Sequence, residues 1–87
     1  MATLLIPRPL RPLVGGAERL DAPGGTLAEV FRNLDGSWPL LRERIFDGDH
    51  VQPGVALAVN GEIDSYPLHE PLAANAEVAI IPAVGGG

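Results

Sequence analysis

The sequence contains no cysteine and no lysine, and only two of its 87 residues are histidine. Without cysteine there is no disulfide, no thiolate nucleophile and no persulfide carrier, which is compatible with a cytoplasmic protein. Without lysine there is no Schiff-base catalyst, no P-loop lysine and no side chain that accepts an isopeptide bond. Most enzyme chemistries therefore lack their usual residues, and we expect a chain that is not itself an enzyme and binds no metal.

Long apolar runs and clustered basic residues are also missing. No run approaches the length of a membrane span, and the first residues lack the features of a signal peptide, so we expect no membrane contact. The six basic residues are all arginines, scattered along a chain of net charge −5, so we expect no nucleic-acid partner. A chain of this length forms one small core, which leaves little room for a deep active-site cleft.

Hydrophobic alternation predicts five strands, at residues 3–6, 17–21, 55–59, 62–65 and 77–81. Prolines follow the first strand and should end its pairing after Ile6, because proline cannot donate to a sheet ladder. Asn60-Gly61 is typical of a type I′ hairpin turn, which needs a positive φ at both central residues. The first and last strands are both apolar, which predicts that they are central and parallel.

The segment that follows Thr26 is typical of an amphipathic helix. Thr26 and Glu29 form a capping box, in which the Glu29 carboxylate accepts from the amide of Thr26. The helical spacing predicts one buried face, formed by Leu27, Val30, Phe31 and Leu34.

A second, shorter helix is predicted after Ser37. Ser37 is its expected N-cap, and Pro39 is tolerated in its first turn. Its expected buried side consists of Leu40, Leu41 and Ile45. Residues 47–49, Asp-Gly-Asp, should close this helix, and residues 66–75 are expected to form a loop or a single helical turn.

This order of elements predicts an α+β domain over residues 1–82, with a mixed sheet of four to five strands and one main helix packed on one face. Residues 83–87 are expected to form a flexible, extended tail that ends in glycines. Taken alone, a glycine-rich terminus is most often a frayed end or an expression scar. Here it leaves directly from an apolar strand, and five residues reach at most about 17 Å beyond the sheet. Because its last residues have no Cβ atoms, such a tail can deliver a terminal carboxylate into a narrow tunnel of another enzyme.

These features resemble the ubiquitin-like β-grasp of the MoaD/ThiS sulfur carriers, which include the small subunit of molybdopterin synthase and the thiazole-pathway carrier. The hallmark of that family is a final Gly-Gly after a strand and a short proline-containing exit, and Gly86-Gly87 match it. Gly85 stands where relatives usually have another small residue, and Ala74-Asn75-Ala76 replaces the usual Asp-Gly-Asp turn. The resemblance covers nearly the whole chain and includes the hairpin at residues 59–62.

A narrower resemblance concerns the branch that supplies sulfur for cysteine synthesis in actinobacteria, the CysO-like carriers. It rests on short groups of residues at the front and in the middle of the chain: Ile6-Pro7, Leu10-Arg11-Pro12, Gly15-Gly16, Leu41, Glu43-Arg44 and Asp47.

The family resemblance implies a mechanism in which all catalytic groups belong to partners. An E1-like adenylyltransferase and sulfurtransferase uses ATP to adenylate the Gly87 carboxylate, and sulfur then replaces AMP to give a C-terminal thiocarboxylate. An acceptor enzyme uses this sulfur; it is similar to a pyridoxal-phosphate-dependent cysteine synthase, a thiazole synthase or the molybdopterin synthase large subunit. Gly85 and Gly86 give access to the partner's active site, and the apolar sheet face docks the partner.

Other interpretations stay open at this point. The chain could be a molybdopterin synthase small subunit, a ubiquitin-like modifier of target lysines, or an interaction domain with an inert tail. The histidines, His50 and His69, fall in predicted loops. The acids Glu43, Asp47 and Asp49 suggest a cation site, but Asp-Gly-Asp is ordinary turn chemistry. The acidic surplus either steers the chain toward a basic partner surface or serves solubility alone.

Overall fold

A five-stranded mixed sheet forms one layer of the molecule, in a computed structural model that describes residues 1–64 and 68–82. Its strands lie in the order β2-β1-β7-β5-β6. Their bounds are β1 (Ala2–Leu5), β2 (Arg19–Ala22), β5 (Val55–Val59), β6 (Glu62–Asp64) and β7 (Glu77–Pro82). The first and last strands are parallel neighbours inside the sheet, and the other pairs are antiparallel. The predicted parallel centre is therefore confirmed, as is the α+β class.

The second layer consists of the connections between these strands. It contains a 3₁₀ helix (Arg8–Val14), α1 (Leu27–Leu34) and α2 (Pro39–Ile45), followed by a small two-stranded sheet of β3 (Phe46–Asp47) and β4 (His50–Val51). Within the two described stretches, no helix has the length and apolar character needed to cross a membrane.

Helix α1 packs on the sheet through the face that its spacing predicts. The side chains of Leu27, Val30 and Phe31 are fully buried, and Leu34 is nearly so. The Thr26 hydroxyl accepts the amide of Glu29 at 3.3 Å, as expected for the N-cap. The Glu29 carboxylate accepts the amide of Gly25 at 2.7 Å, one residue before the predicted partner Thr26. The capping box is therefore present in a shifted form, because the extended backbone at Thr26 turns the Gly25 amide toward the helix.

Helix α2 corrects two sequence predictions. Trp38, and not Ser37, is the N-cap, and its side chain makes no capping hydrogen bond. Leu41 and Ile45 are buried as expected, but Leu40 is 55% exposed. Positions 41 and 45 are one helical turn apart and share a face, whereas position 40 lies about 100° around the helix. Trp38 is partly buried against the core.

Two segments for which the sequence predicts no element have regular structure. The prolines after Ile6 end the pairing as predicted, but the chain then forms the 3₁₀ helix, with Leu10 and Val14 buried. Proline fits the first turn of a helix because that turn needs no amide donor. Residues 47–49 do more than close α2, because Asp47 ends β3 and Gly48-Asp49 form its turn into β4.

Backbone conformation fixes the turn between β5 and β6, and close packing fixes the chain just before α1. Asn60 and Gly61 both have positive φ, at 50° and 87°, which confirms the I′ prediction. The return strand is described to Asp64, and residue 65 of the prediction lies outside the described residues. A Cβ at Gly24 would lie 2.7 Å from the Val30 amide nitrogen, so only glycine allows this close approach.

Replacing Phe31 with alanine should lower the free energy of unfolding by about 3–5 kcal/mol, because the change empties a fully buried site. The ring also makes an edge-on contact with Phe46, at a centroid separation of 5.2 Å. Urea unfolding followed by circular dichroism measures the loss, and Leu40→Ala is the matched exposed control, with an expected change within about 0.5 kcal/mol. A loss below about 1 kcal/mol for Phe31→Ala would contradict the buried helix face.

Candidate functional site

The end of β7 is the place from which the chain leaves the sheet. Residues 83–87, and with them the predicted site residues Gly85, Gly86 and Gly87, lie outside the described residues. What the structure positions is the strand before them. On one side β7 pairs with β5 as far as Pro82, opposite Val55, while on the other side its pairing with β1 ends at Ala79, opposite Leu5.

The ladder between β7 and β1 is shorter than the ladder between β7 and β5, so the last residues of β7 are paired on one side only. After Leu5 the amide of Ile6 donates to the carbonyl of Glu18 at 2.8 Å, and the chain then turns into the 3₁₀ helix. The last residues of β7 therefore have no β1 neighbour on that side, and Pro82 has no amide hydrogen to offer to one. The prolines that end β1 thus leave the end of β7 without a paired strand on the β1 side, which we call its free side.

The face of the sheet that points away from α1 is apolar next to this exit. Alternation along the strands places one row of small and apolar residues across four strands, Leu5, Ala79, Ala58 and Ile63. Ile81 and Ala56 form the next row toward the exit. We call these six residues the outer apolar patch.

Two isoleucines are the exposed members of the outer apolar patch, whereas Ala58 in its middle is buried. Ile63 is 64% exposed and Ile81 is 43% exposed, whereas Ile80, the neighbour of Ile81 on the other face of β7, is buried. None of the six side chains belongs to the core cluster or to the partly buried side chains that pack on it. Exposed apolar patches next to a functional terminus are typical of protein interfaces.

Polar side chains bound the patch at the end away from the exit. Thr3 donates a hydroxyl hydrogen bond to Asp21, and the amide of Glu77 donates to the Asn60 side-chain oxygen at 2.9 Å. These residues lie on the same face, beyond the Leu5–Ile63 row. The apolar part of the face is therefore confined to the half from which the chain leaves.

The remaining candidate residues lie elsewhere and do not form a catalytic group. His69 Nε2 lies 3.4 Å from Asp49 Oδ1 in an exposed loop contact, and His50 lies in β4 and not in the predicted loop. Across residues 1–64 and 68–82, no three histidine, aspartate or glutamate side chains converge as metal ligands would. A shallow, open depression of about 210 Å³ beside β6 is lined by Val59, Glu62, Ile63 and Glu70.

Comparison with known proteins gives one family and consistent relatives. The model of the ThiS family matches residues 4–87. The sulfur carrier protein CysO of Mycobacterium tuberculosis is 35% identical over 92 residues, covering 98% of this chain and 97% of the relative. The family match extends over the strand that leads to the exit and over the glycines after it.

Solved structures give the same fold. The crystal structure of CysO from Mycobacterium tuberculosis matches with a TM-score of 0.83 and 32% identity, over 97% of this chain and all of the other. A chain from the BexX/CysO complex of Amycolatopsis orientalis matches with a TM-score of 0.84 and 23% identity, over the full length of both chains. SAMP1 of Haloferax volcanii matches with a TM-score of 0.69 and 28% identity, over 99% of this chain and 98% of the other. The predicted ubiquitin-like β-grasp is therefore confirmed.

Two neighbouring isoleucines of β7 test the assignment of the two sheet faces. Ile80→Thr should lower the free energy of unfolding by about 2–4 kcal/mol, because it removes buried carbon and buries a hydroxyl. Ile81→Thr should cost less than about 1 kcal/mol, since this side chain is already in contact with water. Urea unfolding of both variants gives the comparison, and equal losses would mean that the outer apolar patch is part of the core.

Proposed function

Because the chain belongs to the ThiS family, with CysO sulfur carriers among its relatives, we propose that it is a sulfur carrier whose C-terminal glycine becomes a thiocarboxylate. The chain acts as a protein co-substrate and contributes no catalytic group. The observation that supports this most directly is the central strand β7, which ends at the free side of the sheet just before the terminal glycines. The family match runs through residue 87 and so includes them.

The chemistry proceeds in two steps on Gly87. An E1-like activating enzyme lets the Gly87 carboxylate attack the α-phosphate of ATP, which releases pyrophosphate and leaves an acyl-adenylate. A sulfur nucleophile then attacks the carbonyl carbon, AMP leaves, and a thiocarboxylate remains. The carrier binds no cofactor of its own, and because activation consumes ATP we expect it to work in the cytoplasm.

The thiocarboxylate sulfur then passes to an acceptor enzyme. The likeness to CysO favours an acceptor of the cysteine-synthase type, which uses pyridoxal phosphate, over one that makes thiazole or molybdopterin. Gly85 and Gly86 lack Cβ atoms, so the segment before Gly87 fits a narrow channel in either partner. The CysO of Amycolatopsis orientalis has been crystallised in a complex with BexX, which supports a protein partner for a chain of this fold.

The outer apolar patch is the proposed docking surface for the activating enzyme. It lies on the half of the sheet from which the tail leaves, so an enzyme that takes the tail approaches this side. Burying the exposed parts of Ile63 and Ile81 would contribute at roughly 25 cal/mol for each Å² of apolar surface removed from water.

A ubiquitin-like modifier is the second candidate, favoured by the likeness to SAMP1 at 28% identity. Activation is the same for a carrier and a modifier, and the two differ in the final acceptor. Conjugates to target lysines that survive reduction would favour the modifier. A stable complex with a cofactor-making large subunit would favour a molybdopterin synthase small subunit.

Intact-mass measurement tests the proposal directly. After incubation with its activating enzyme, ATP and a sulfur source, the protein should gain the mass difference between sulfur and oxygen, and fragment spectra should assign the gain to Gly87. An unchanged carboxylate with an enzyme that is demonstrably active would contradict a carrier and favour an inert interaction domain.

Deletion of Gly86-Gly87 is the control for that measurement. The shortened chain should unfold at the same urea concentration, because the described core lies within residues 1–82. It should form no thiocarboxylate and transfer no sulfur. Sulfur transfer at the full rate by the shortened chain would show that the terminal glycines are not the reacting group.

Ile63→Asp should raise the KM for adenylation by about tenfold, because it places a charge in the outer apolar patch, and this corresponds to about 1.4 kcal/mol. Pyrophosphate exchange with the activating enzyme measures it. Leu40→Asp is the matched control, since Leu40 is also exposed but lies on α2, away from the sheet. Equal effects of the two substitutions would argue against docking on this face.

A further inference from the structure

Strand β2 forms one edge of the sheet, with β1 on its inner side and, among residues 1–64 and 68–82, no strand on its outer side. The hydrogen bond from the amide of Ile6 to the Glu18 carbonyl, at 2.8 Å, sets the alternation along β2. Glu18 and every second residue after it direct their backbone groups toward β1. Arg19 and Asp21 therefore direct an amide and a carbonyl each away from the sheet.

The open part of this edge is short, because the groups that flank it are used within the chain. The amide of Ala17 donates to the Val14 carbonyl at 3.2 Å, and the Pro23 carbonyl accepts the Asn33 side-chain amide at 2.7 Å. Pro23 has no amide hydrogen of its own. Within the described stretches, hydrogen bonds reach none of the four outward groups of β2. The edge thus offers two donors and two acceptors.

The side chains of Arg19 and Asp21 carry opposite charges on the outer face of this edge. Both are exposed, and they lie opposite Leu5 and Thr3 of β1. The Thr3 hydroxyl donates to Asp21 Oδ1, which holds the carboxylate on the outer face. No described carboxylate lies within 4.0 Å of the Arg19 guanidinium. Between them, on the inner face, Leu20 is half-buried at the margin of the core.

This edge is self-complementary in one register. When two β2 strands pair antiparallel about a twofold axis at Leu20, Arg19 of each copy lies opposite Asp21 of the other. Both are outward residues, so each opposite pair exchanges two hydrogen bonds, and all four outward groups of both copies are satisfied. Each pair also places a guanidinium and a carboxylate on the same face, with Cα atoms about 5.5 Å apart. The two Leu20 side chains meet at the axis on the other face.

Other pairings of the sheet edges bring like charges together. A twofold axis at Arg19 or at Asp21 places that residue opposite its own copy. The other edge strand, β6, has the same conflict around Ile63, where Glu62 would lie opposite Asp64 of the second copy. Charges on an edge strand are one means by which proteins prevent pairing. The like charges of β6 have that effect, whereas the alternating signs of β2 favour a single register.

We propose that the β2 edge, residues 19–22, pairs with the same edge of a second copy of this chain and forms a symmetric dimer. The occupant is a second copy because the edge matches itself in hydrogen-bonding groups, in charge and in register. The pairing joins two five-stranded sheets into one sheet of ten strands, with the helices of both copies on the same face. The interface is small, so the dimer is reversible, with a Kd between about 10 μM and about 1 mM.

The dimer is independent of the proposed carrier function. β1 lies between β2 and β7, so the end of β7 is not part of the interface. In the joined sheet the two β7 strands run antiparallel, about 24 Å apart at about 4.8 Å per strand, and their ends point in opposite directions. A chain that is never adenylated can still form the dimer, and a monomeric chain can still be a carrier.

Sedimentation velocity of the full chain across the expected Kd range tests the proposal. In about 150 mM sodium chloride, where the Debye length of about 8 Å limits repulsion between the net charges, the sedimentation coefficient should rise with concentration. Amide hydrogen exchange followed by NMR should slow at Arg19 and Asp21 over the same range. A chain that stays monomeric throughout the range, or that dimerises with no change at these two amides, would overturn the proposal.

Exchange of charge between the two positions is the sharper test. In a dimer of Asp21→Arg, arginine lies opposite arginine twice, and in a dimer of Arg19→Asp, aspartate lies opposite aspartate twice. Each variant alone should therefore dimerise at least about tenfold more weakly than the wild type. An equimolar mixture of the two should form a mixed dimer with a Kd within about threefold of the wild-type value, because every cross-strand pair again has opposite charges.

Two substitutions away from β2 are the matched controls. Glu62→Arg on β6 and Arg44→Asp on α2 make the same changes in charge at exposed residues. Each should leave the Kd within about twofold of the wild-type value. Circular dichroism should show that all four variants are folded. Equal weakening by the controls would overturn the proposal, since net charge would then explain the effect, and so would a mixture of the two β2 variants that forms no dimer.

Discussion

The parallel pairing of β1 with β7 is the contact on which the rest of the molecule depends. Parallel neighbours cannot be joined by a tight turn, so the chain between them must cross over one face of the sheet. The crossover runs from β2, beside β1, to β5, beside β7, and carries α1 and α2, which bury one face and leave the other to water. The two strands run toward the same end of the sheet. There the chain leaves the sheet after Leu5 of β1, whereas β7 continues to Pro82. One pairing thus sets the buried face, the open face and the exit.

Much of this arrangement could be predicted from local rules. The apolar face of α1, the turn at Asn60-Gly61 and the parallel centre each follow from residues close together in the sequence. The family could be predicted because its hallmark is a contiguous group of residues at the end of the chain. Each of these features depends on residues that are close together in the sequence, which is why the sequence predicts it.

The rest depends on contacts that no local rule contains. Leu40 and Leu41 are the same residue type, and only the start of α2 at Pro39 decides which of them is buried. The shift of the Glu29 hydrogen bond to Gly25 depends on the backbone before the helix. The outer apolar patch combines residues from strands far apart in the sequence, so it emerges only once the register is known.

The central place of β7 also has a mechanical consequence. A partner that draws the terminal segment into a channel pulls along the axis of this strand. Its hydrogen bonds to β5, and those to β1, lie across that direction, so tension loads many of them together in shear. An edge strand would have only one such ladder. The two ladders therefore hold β7 in the sheet against a pull on the residues that follow it.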